Sequence, residues 1–278
     1  MKALLSKVLP GPVKSALRNS LFTLQDTWGD ITGKDGLMPP RRMIFIGDGD
    51  FKKTGQEFFR LFREHGGLEE EDRVLDVGSG IGRMAIPLIP FLRGKGSYDG
   101  LEIVRDGVDW CGKNITPAHP RFNFHWVDVY NLEYNPAGKL KGSDYRFPFP
   151  DKSFDFIYLT SVFTHMMPPD LENYISELSR VMADGGTLFV TFFLLNAESR
   201  KHVDAGNSSL DFRHKGEGYL TVNPDMPEAA IAFPEEYVLG LLAKGGFKVR
   251  TPIRYGSWCG RGEFLSYQDI VIADRAPR

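Results

Sequence analysis

The chain has 278 residues, 42% hydrophobic and 25% charged, with a formal net charge of -2. That length accommodates one large α/β domain with insertions, or two small domains, within the composition range of ordinary globular proteins. The near-neutral balance carries no global footprint for nucleic acid. Cys111 and Cys259 are too few and too far apart for a disulfide scaffold or a multi-cysteine centre. No His/Asp/Glu cluster has metal-ligand spacing, so no metal is expected. A reducing cytoplasm is the matching compartment. No apolar run is long enough to span a bilayer, and the stretch from Met1 to Leu9 is short for a signal-peptide core and is interrupted by Lys7.

In chain order, the first 25 residues hold Lys2, Lys7, Lys14 and Arg18 and no acid. Leu4, Leu5, Val8, Leu9, Val13, Leu17 and Leu21 recur at roughly helical spacing, and Pro10 and Pro12 divide them into two short helices. Such an arm either packs on its own domain or touches a membrane surface. Residues 29–50 are rich in glycine and proline and read as loop. A helix is predicted over Thr54 to Glu64, with Phe58, Phe59 and Phe62 as a core stripe ended by Gly66 and Gly67. Residues 1–53 are therefore expected to form an arm and loop capping a domain that spans 54–278.

From Val74 onward strands and helices alternate. The predicted strands are Val74–Val77, Tyr98–Ile103, Phe122–Val127, Phe154–Leu159 and Thr187–Leu194. Between them fit helices at Arg83–Leu92, Val104–Asn114 and Asp170–Met182. This alternation predicts a mostly parallel sheet with helices on both faces. Residues 197–233 form a polar insertion, read as a lid-like segment. A helix from Pro234 through Ala243 and strands Phe247–Tyr255 and Tyr267–Ala273 close the chain.

The densest signal is Arg73-Val74-Leu75-Asp76-Val77-Gly78-Ser79-Gly80-Ile81-Gly82-Arg83. A buried strand runs into a turn with glycine at alternate positions, where the missing Cβ permits tight backbone and close approach of a ligand. Strand, glycine turn and helix start together suit a nucleotide-like ligand. The spacing is G-x-G-x-G, whereas dinucleotide folds usually show G-x-G-x-x-G.

This run resembles motif I of the class I S-adenosylmethionine (SAM)-dependent methyltransferases. Other stretches match the same family: Leu101-Glu102-Ile103, Trp126-Val127-Asp128-Val129, the lead Phe147-Pro148-Phe149-Pro150-Asp151-Lys152-Ser153-Phe154-Asp155, and the turn Asp184-Gly185-Gly186. The resemblance implies a seven-stranded sheet of order 3-2-1-4-5-7-6 with strand 7 antiparallel. It implies that Gly78, Ser79, Gly80 and Gly82 pass under the methionine and ribose of SAM, and that Asp76 receives the amino group. Glu102, followed by Ile103, would accept from the ribose hydroxyls, while Asp128 and the Val129 amide would meet the adenine. Thr160, at the end of strand 4, opens the segment to His165 that would lie beside the transferred methyl group.

The expected reaction is methyl transfer from SAM to a small-molecule acceptor, at a hydroxyl oxygen, leaving S-adenosylhomocysteine. Aligning donor and acceptor supplies roughly 7–11 kcal/mol of such a barrier. A hydroxyl acceptor also benefits from a base near neutral pKa, and His165 is the candidate; the other reading has its ring holding the loop after strand 4. Trp258 and Arg261 are candidates for holding the acceptor. The insertion's Arg200, Lys201, His202, Arg213, His214 and Lys215 either recognise an anion or are simply solvated. A methyltransferase-like binding protein without catalysis and a nicotinamide-dependent oxidoreductase are the rival readings; the glycine spacing and the strand 4 lead disfavour the latter.

Overall fold

The computed structural model describes residues 37–276 except Asp48. The basic arm of the first 25 residues, with its self-packing and membrane-surface readings, lies outside the described residues. Asp50 caps α1 (Phe51–Leu61) by accepting a hydrogen bond from the Lys53 amide, which starts this helix three residues before the predicted Thr54. A wider turn, Phe62–Gly66, continues it and ends at Gly67.

The main sheet contains β1 (Arg73–Val77), β2 (Ser97–Glu102), β3 (Phe122–Trp126), β4 (Phe154–Leu159), β5 (Met182–Phe192) and two further strands introduced below. Between them run α2 (Ala85–Leu88), α3 (Arg105–Asn114) and α4 (Pro168–Val181). Only one turn of α2 forms where ten helical residues were predicted. Pro87 lacks an N–H donor and Pro90 follows immediately, so the helix stops.

After β5 the chain forms β6 (Leu194–Leu195), α5 (Ala197–Asp204), β7 (His214–Lys215), β8 (Leu220–Thr221) and β9 (Ile231–Pro234). These strands make a second sheet of order β6-β9-β8-β7. The 197–233 segment is thus folded against the domain: Phe193, Leu195, Phe212, Ala232 and Trp258 form a small apolar cluster beneath it. Its anchor residues fall among polar ones, so no periodic pattern marked the strands.

The chain ends with α6 (Glu235–Lys244), β10 (Phe247–Val249) and β11 (Asp269–Arg275). The main sheet has the order β10-β11-β5-β4-β1-β2-β3, with β11 antiparallel to both of its neighbours. Read from the other edge, this is the predicted 3-2-1-4-5-7-6. β10 is shorter than the predicted Phe247–Tyr255.

Successive side chains on a strand face opposite sides. On β1, Leu75 and Val77 join the core packed by α4 and α6, whereas Val74 joins the core packed by α1, α2 and α3. On that second face Phe62, fully buried, stacks on Tyr158 at 4.3 Å and meets Phe189 edge-on at 4.9 Å. Phe59 packs on Phe91 at 5.1 Å, so the predicted aromatic stripe is core. Replacing Phe62 with alanine is expected to cost about 3–5 kcal/mol, through lost transfer energy and an unfilled cavity. Denaturant midpoints of Phe62→Ala against Phe58→Ala, whose site is half-buried, check this: the Phe62 loss should be the larger.

Candidate cofactor and acceptor site

A cavity of about 370 Å³ lies at the C-terminal ends of β1, β2 and β4, where open α/β sheets place ligands. Gly78 and Ser79 form its floor, and Glu102, Ile103 and Thr160 come from strand ends. Phe45 and Ile46, before α1, and Glu228, from the insertion, close other sides.

The floor depends on glycine. Gly78 and Gly82 have φ of +85° and +82°, and a Cβ on Gly78 would stand 2.4 Å from Val162 Cγ2. The amides of this turn are committed internally. Those of Gly78 and Ser79 donate to the Leu101 carbonyl at 2.8 and 3.0 Å, and that of Gly82 to the Ser79 carbonyl at 3.1 Å. The Gly80 amide donates to Glu102 Oε2 at 2.6 Å. With these amides spent and α2 only one turn long, the floor does not cradle a phosphate in the manner of a dinucleotide loop.

Glu102 is buried and also accepts from the Ile103 and Val104 amides, both on Oε1, at 2.7 and 2.8 Å. Desolvation pushes its pKa up and the three backbone donors oppose that. Two carboxylate oxygens offer about four lone-pair sites, so Oε2 retains one for a ligand.

Asp76 differs from expectation. It shares a face with Val74, points under the floor and does not line the cavity; its partner on β4 is Tyr158, and on β2 it stands opposite Gly100. Tyr98 and Tyr158 both donate to Asp76 Oδ2, at 2.7 and 2.9 Å. Oδ1 is buried without a partner. Burial raises the Asp76 pKa to about 7, opposed by the two tyrosine hydrogen bonds. Arg83, absent from the sequence-derived candidates, lines the cavity. Its Nη1 donates to the Ile46 carbonyl at 3.0 Å, its Nε is buried without a partner, and its charge acts on Asp76. The signal for Arg83 was its place immediately after the third glycine.

His165 lines the cavity, held within the turn Phe163–His165. Its Nδ1 lies 2.8 Å from the Glu228 carbonyl, which can only accept, so Nδ1 carries the hydrogen. Glu133 Oε2 is 3.4 Å from the same nitrogen. The ring therefore does hold its loop, against the insertion, and the neutral form keeps the Nε2 lone pair free. Glu228 accepts from Asn131 Nδ2 at 3.2 Å and from the Leu132 amide at 3.0 Å. Its appearance beside His165 had no signal in the sequence, because it comes from the insertion.

Of the remaining candidates, Val129 lines the cavity, whereas Asp128, Gly80 and Gly82 do not. The Asp128 carbonyl accepts from the Lys139 and Leu140 amides. Trp258 and Arg261, expected at the acceptor, lie elsewhere. Trp258 is fully buried and its Nε1 donates to Asp269 Oδ2 at 2.7 Å. Arg261 bonds Asp269 at 3.3 Å, pairs with Glu198 at 2.9 Å and lies over the Tyr255 ring. Both are drawn to the buried Asp269, which must find partners for its charge. None of the insertion's bases at 200–202 and 213–215 lines the cavity. Among the described residues no metal-ligating group of three is found, and no helix is long and apolar enough to cross a membrane.

Sheet order, glycine floor and strand-end acid together define the class I methyltransferase type of fold. Residues 75–190 match the family model described as "Methyltransferase domain". The sterol 24-C-methyltransferase of Aspergillus fumigatus is 26% identical over 240 residues, covering 75% of this chain. The chain spans 58% of that relative's length. Among solved structures, the PH0226 protein of Pyrococcus horikoshii superimposes with TM-score 0.56 at 14% identity, covering 84% of this chain and 94% of its own. A SAM-dependent methyltransferase of Methanosarcina mazei gives 0.50 at 21%, covering 77% and 97%. Residues 75–190 thus match a methyltransferase domain, the solved structures share its class I fold, and the cofactor that such a domain implies is SAM. The residues present fit it. Ser79 Oγ is buried on the cavity floor without a partner, and Arg83, which also lines the cavity, has its Nε without one.

The raised pKa of Asp76 has a defined sign. Below about 7 the folded protein holds a proton that the unfolded chain releases above about 4, so this group's contribution to stability falls as pH rises through that window. Asp76→Asn keeps an acceptor for both tyrosines and removes the titration. Relative to wild type, the variant should gain a few kcal/mol between pH 5 and pH 8. Denaturation of both proteins across that range checks the prediction; a constant difference contradicts it.

Proposed function

We propose that this chain transfers the methyl group of SAM to a small-molecule acceptor, at a hydroxyl oxygen whose proton passes to His165 Nε2. The observation that carries this reading is the pinned ring: Nδ1–H is committed to the Glu228 carbonyl, and the ring lines the cavity. SAM, when bound, supplies a methyl group activated by the sulfonium. Glu102 Oε2 and Ser79 Oγ would hold the nucleoside side, Val127 and Val129 would flank the base, and Arg83 would meet the carboxylate of the amino-acid end. As the acceptor O–H bond breaks, the proton forms an N–H bond at Nε2, and Glu133 faces the imidazolium that results. Ile46 and Glu228 narrow the cavity, which supports a small acceptor over a polymer. Residues 54–278 then act as the catalytic domain and 37–53 as its cap, in a reducing compartment where the buried, unpaired Cys111 and Cys259 persist.

Labelled SAM with a panel of acceptor alcohols, and calorimetry with S-adenosylhomocysteine, test this. His165→Ala should lower kcat by about 10²–10⁴ and leave S-adenosylhomocysteine affinity within about twofold. Glu102→Ala should weaken that affinity by at least tenfold, through a lost ligand acceptor and three unpaired amides. A carbon acceptor, as the sterol relatives' names describe, is the second reading; with no proton to lose before attack, it predicts that His165→Ala changes kcat only a few-fold.

A further inference from the structure

The cavity has two chemically different ends. Beyond His165 lie Tyr134, Tyr145, Tyr174, Asp170 and Glu228, and among the described residues no lysine or arginine lines this end. Arg83, at the floor, is the one lysine or arginine among the described residues that line the cavity. Lys139, Lys141 and Arg146 are exposed and do not line it.

Two features go beyond an accumulation of acids. Tyr174 is only 5% exposed, yet its hydroxyl makes no hydrogen bond among the described residues and the residue faces the cavity. Tyr145 and Tyr174 stand 6.5 Å apart, and Tyr134 lies edge-on to His165 at 5.5 Å, so aromatic rings border both sides of the acceptor end. Asp170, at the start of α4, is half-buried; burial raises its pKa, the Ser143 amide opposing. The Glu228 carboxyl is likewise raised, by burial first, with the Leu132 amide opposing and Asp170 and Glu133 adding to it. Two carboxyl groups beside aromatic walls, with no lysine or arginine among the described residues at this end, suit a cation.

We infer that the acceptor carries a protonated amine or quaternary ammonium group, seated between Asp170 and the rings of Tyr145 and Tyr174, while its reacting atom faces His165. The inference rests on the methyltransferase reading and names the class of its substrate. Carboxylate and phosphate acceptors are disfavoured, because they would meet Asp170 and Glu228 with no compensating base among the described residues of this end.

The test uses the full chain loaded with S-adenosylhomocysteine and three isosteric probes: phenethylamine, 2-phenylethanol and phenylacetate, at pH 7.5. Binding is read by titration calorimetry and ligand-observed NMR. The amine should bind roughly tenfold tighter than the alcohol, and phenylacetate weaker than both. Asp170→Asn should reduce the amine-to-alcohol ratio about fivefold without changing S-adenosylhomocysteine affinity, and Tyr174→Leu should reduce it as well. Equal or tighter binding of the alcohol, an unchanged ratio in Asp170→Asn, or no amine binding at 10 mM overturns the inference. Failure of S-adenosylhomocysteine itself to bind overturns instead the methyltransferase reading on which it rests.

Discussion

The Glu102 carboxylate is the joint on which the site depends. It ties the glycine floor to the end of the neighbouring strand by accepting from the amides of Gly80, Ile103 and Val104. A buried carboxylate costs several kcal/mol unless such donors surround it. Here three backbone amides do, and in exchange a turn of left-handed glycines is held in one shape. The floor's remaining amides close on Leu101 and Ser79, so the loop is stiff before any ligand arrives. Preorganisation of that kind reduces the entropy lost on binding.

The same economy of donors separates this floor from a phosphate-binding one. A dinucleotide loop must leave amides free and point a helix N-terminus at the anion. Here Pro87 and Pro90 cut the following helix to one turn, and the loop's polar atoms are spent on the protein. What is left facing the cavity is side-chain chemistry: one carboxylate lone pair, a serine hydroxyl and a guanidinium. These suit a nucleoside carrying an amino-acid end better than a pyrophosphate.

Much of the frame was legible because its rules are local. The apolar runs at Val74, Phe154 and Leu188 and the alternation of elements gave a mostly parallel sheet, and its strand order came from the family resemblance of the glycine turn and the motifs that follow it. Where periodicity was weak, legibility failed. The insertion's strands are two to four residues long and alternate with polar residues, so a folded second sheet read as a lid. Asp76 illustrates a subtler failure. Its position beside the glycines was visible, but the face it takes is set by strand parity. Parity sends it toward Tyr98 and Tyr158, away from the ligand. Trp258 and Arg261 looked like an exposed recognition turn because nothing local announces that Asp269, eight residues beyond Arg261, is fully buried and draws both inward.

The insertion matters beyond its packing. His165 sits in the turn that follows β4 and lines the cavity. What sets its protonation geometry is a backbone carbonyl 63 residues later, at Glu228. Glu228 in turn is locked through its carboxylate to Asn131 and Leu132, in the irregular stretch after β3. Asn131 closes the circuit by donating from Nδ2 to the His165 carbonyl at 3.2 Å. Three segments distant in sequence therefore fix one imidazole, and loosening any of them releases the tautomer. The His165 end of the cavity is a product of this circuit between segments outside the main sheet, while the Glu102 end is built by the strand ends of the sheet itself. That division lets a single frame serve many acceptors without disturbing the joint at Glu102.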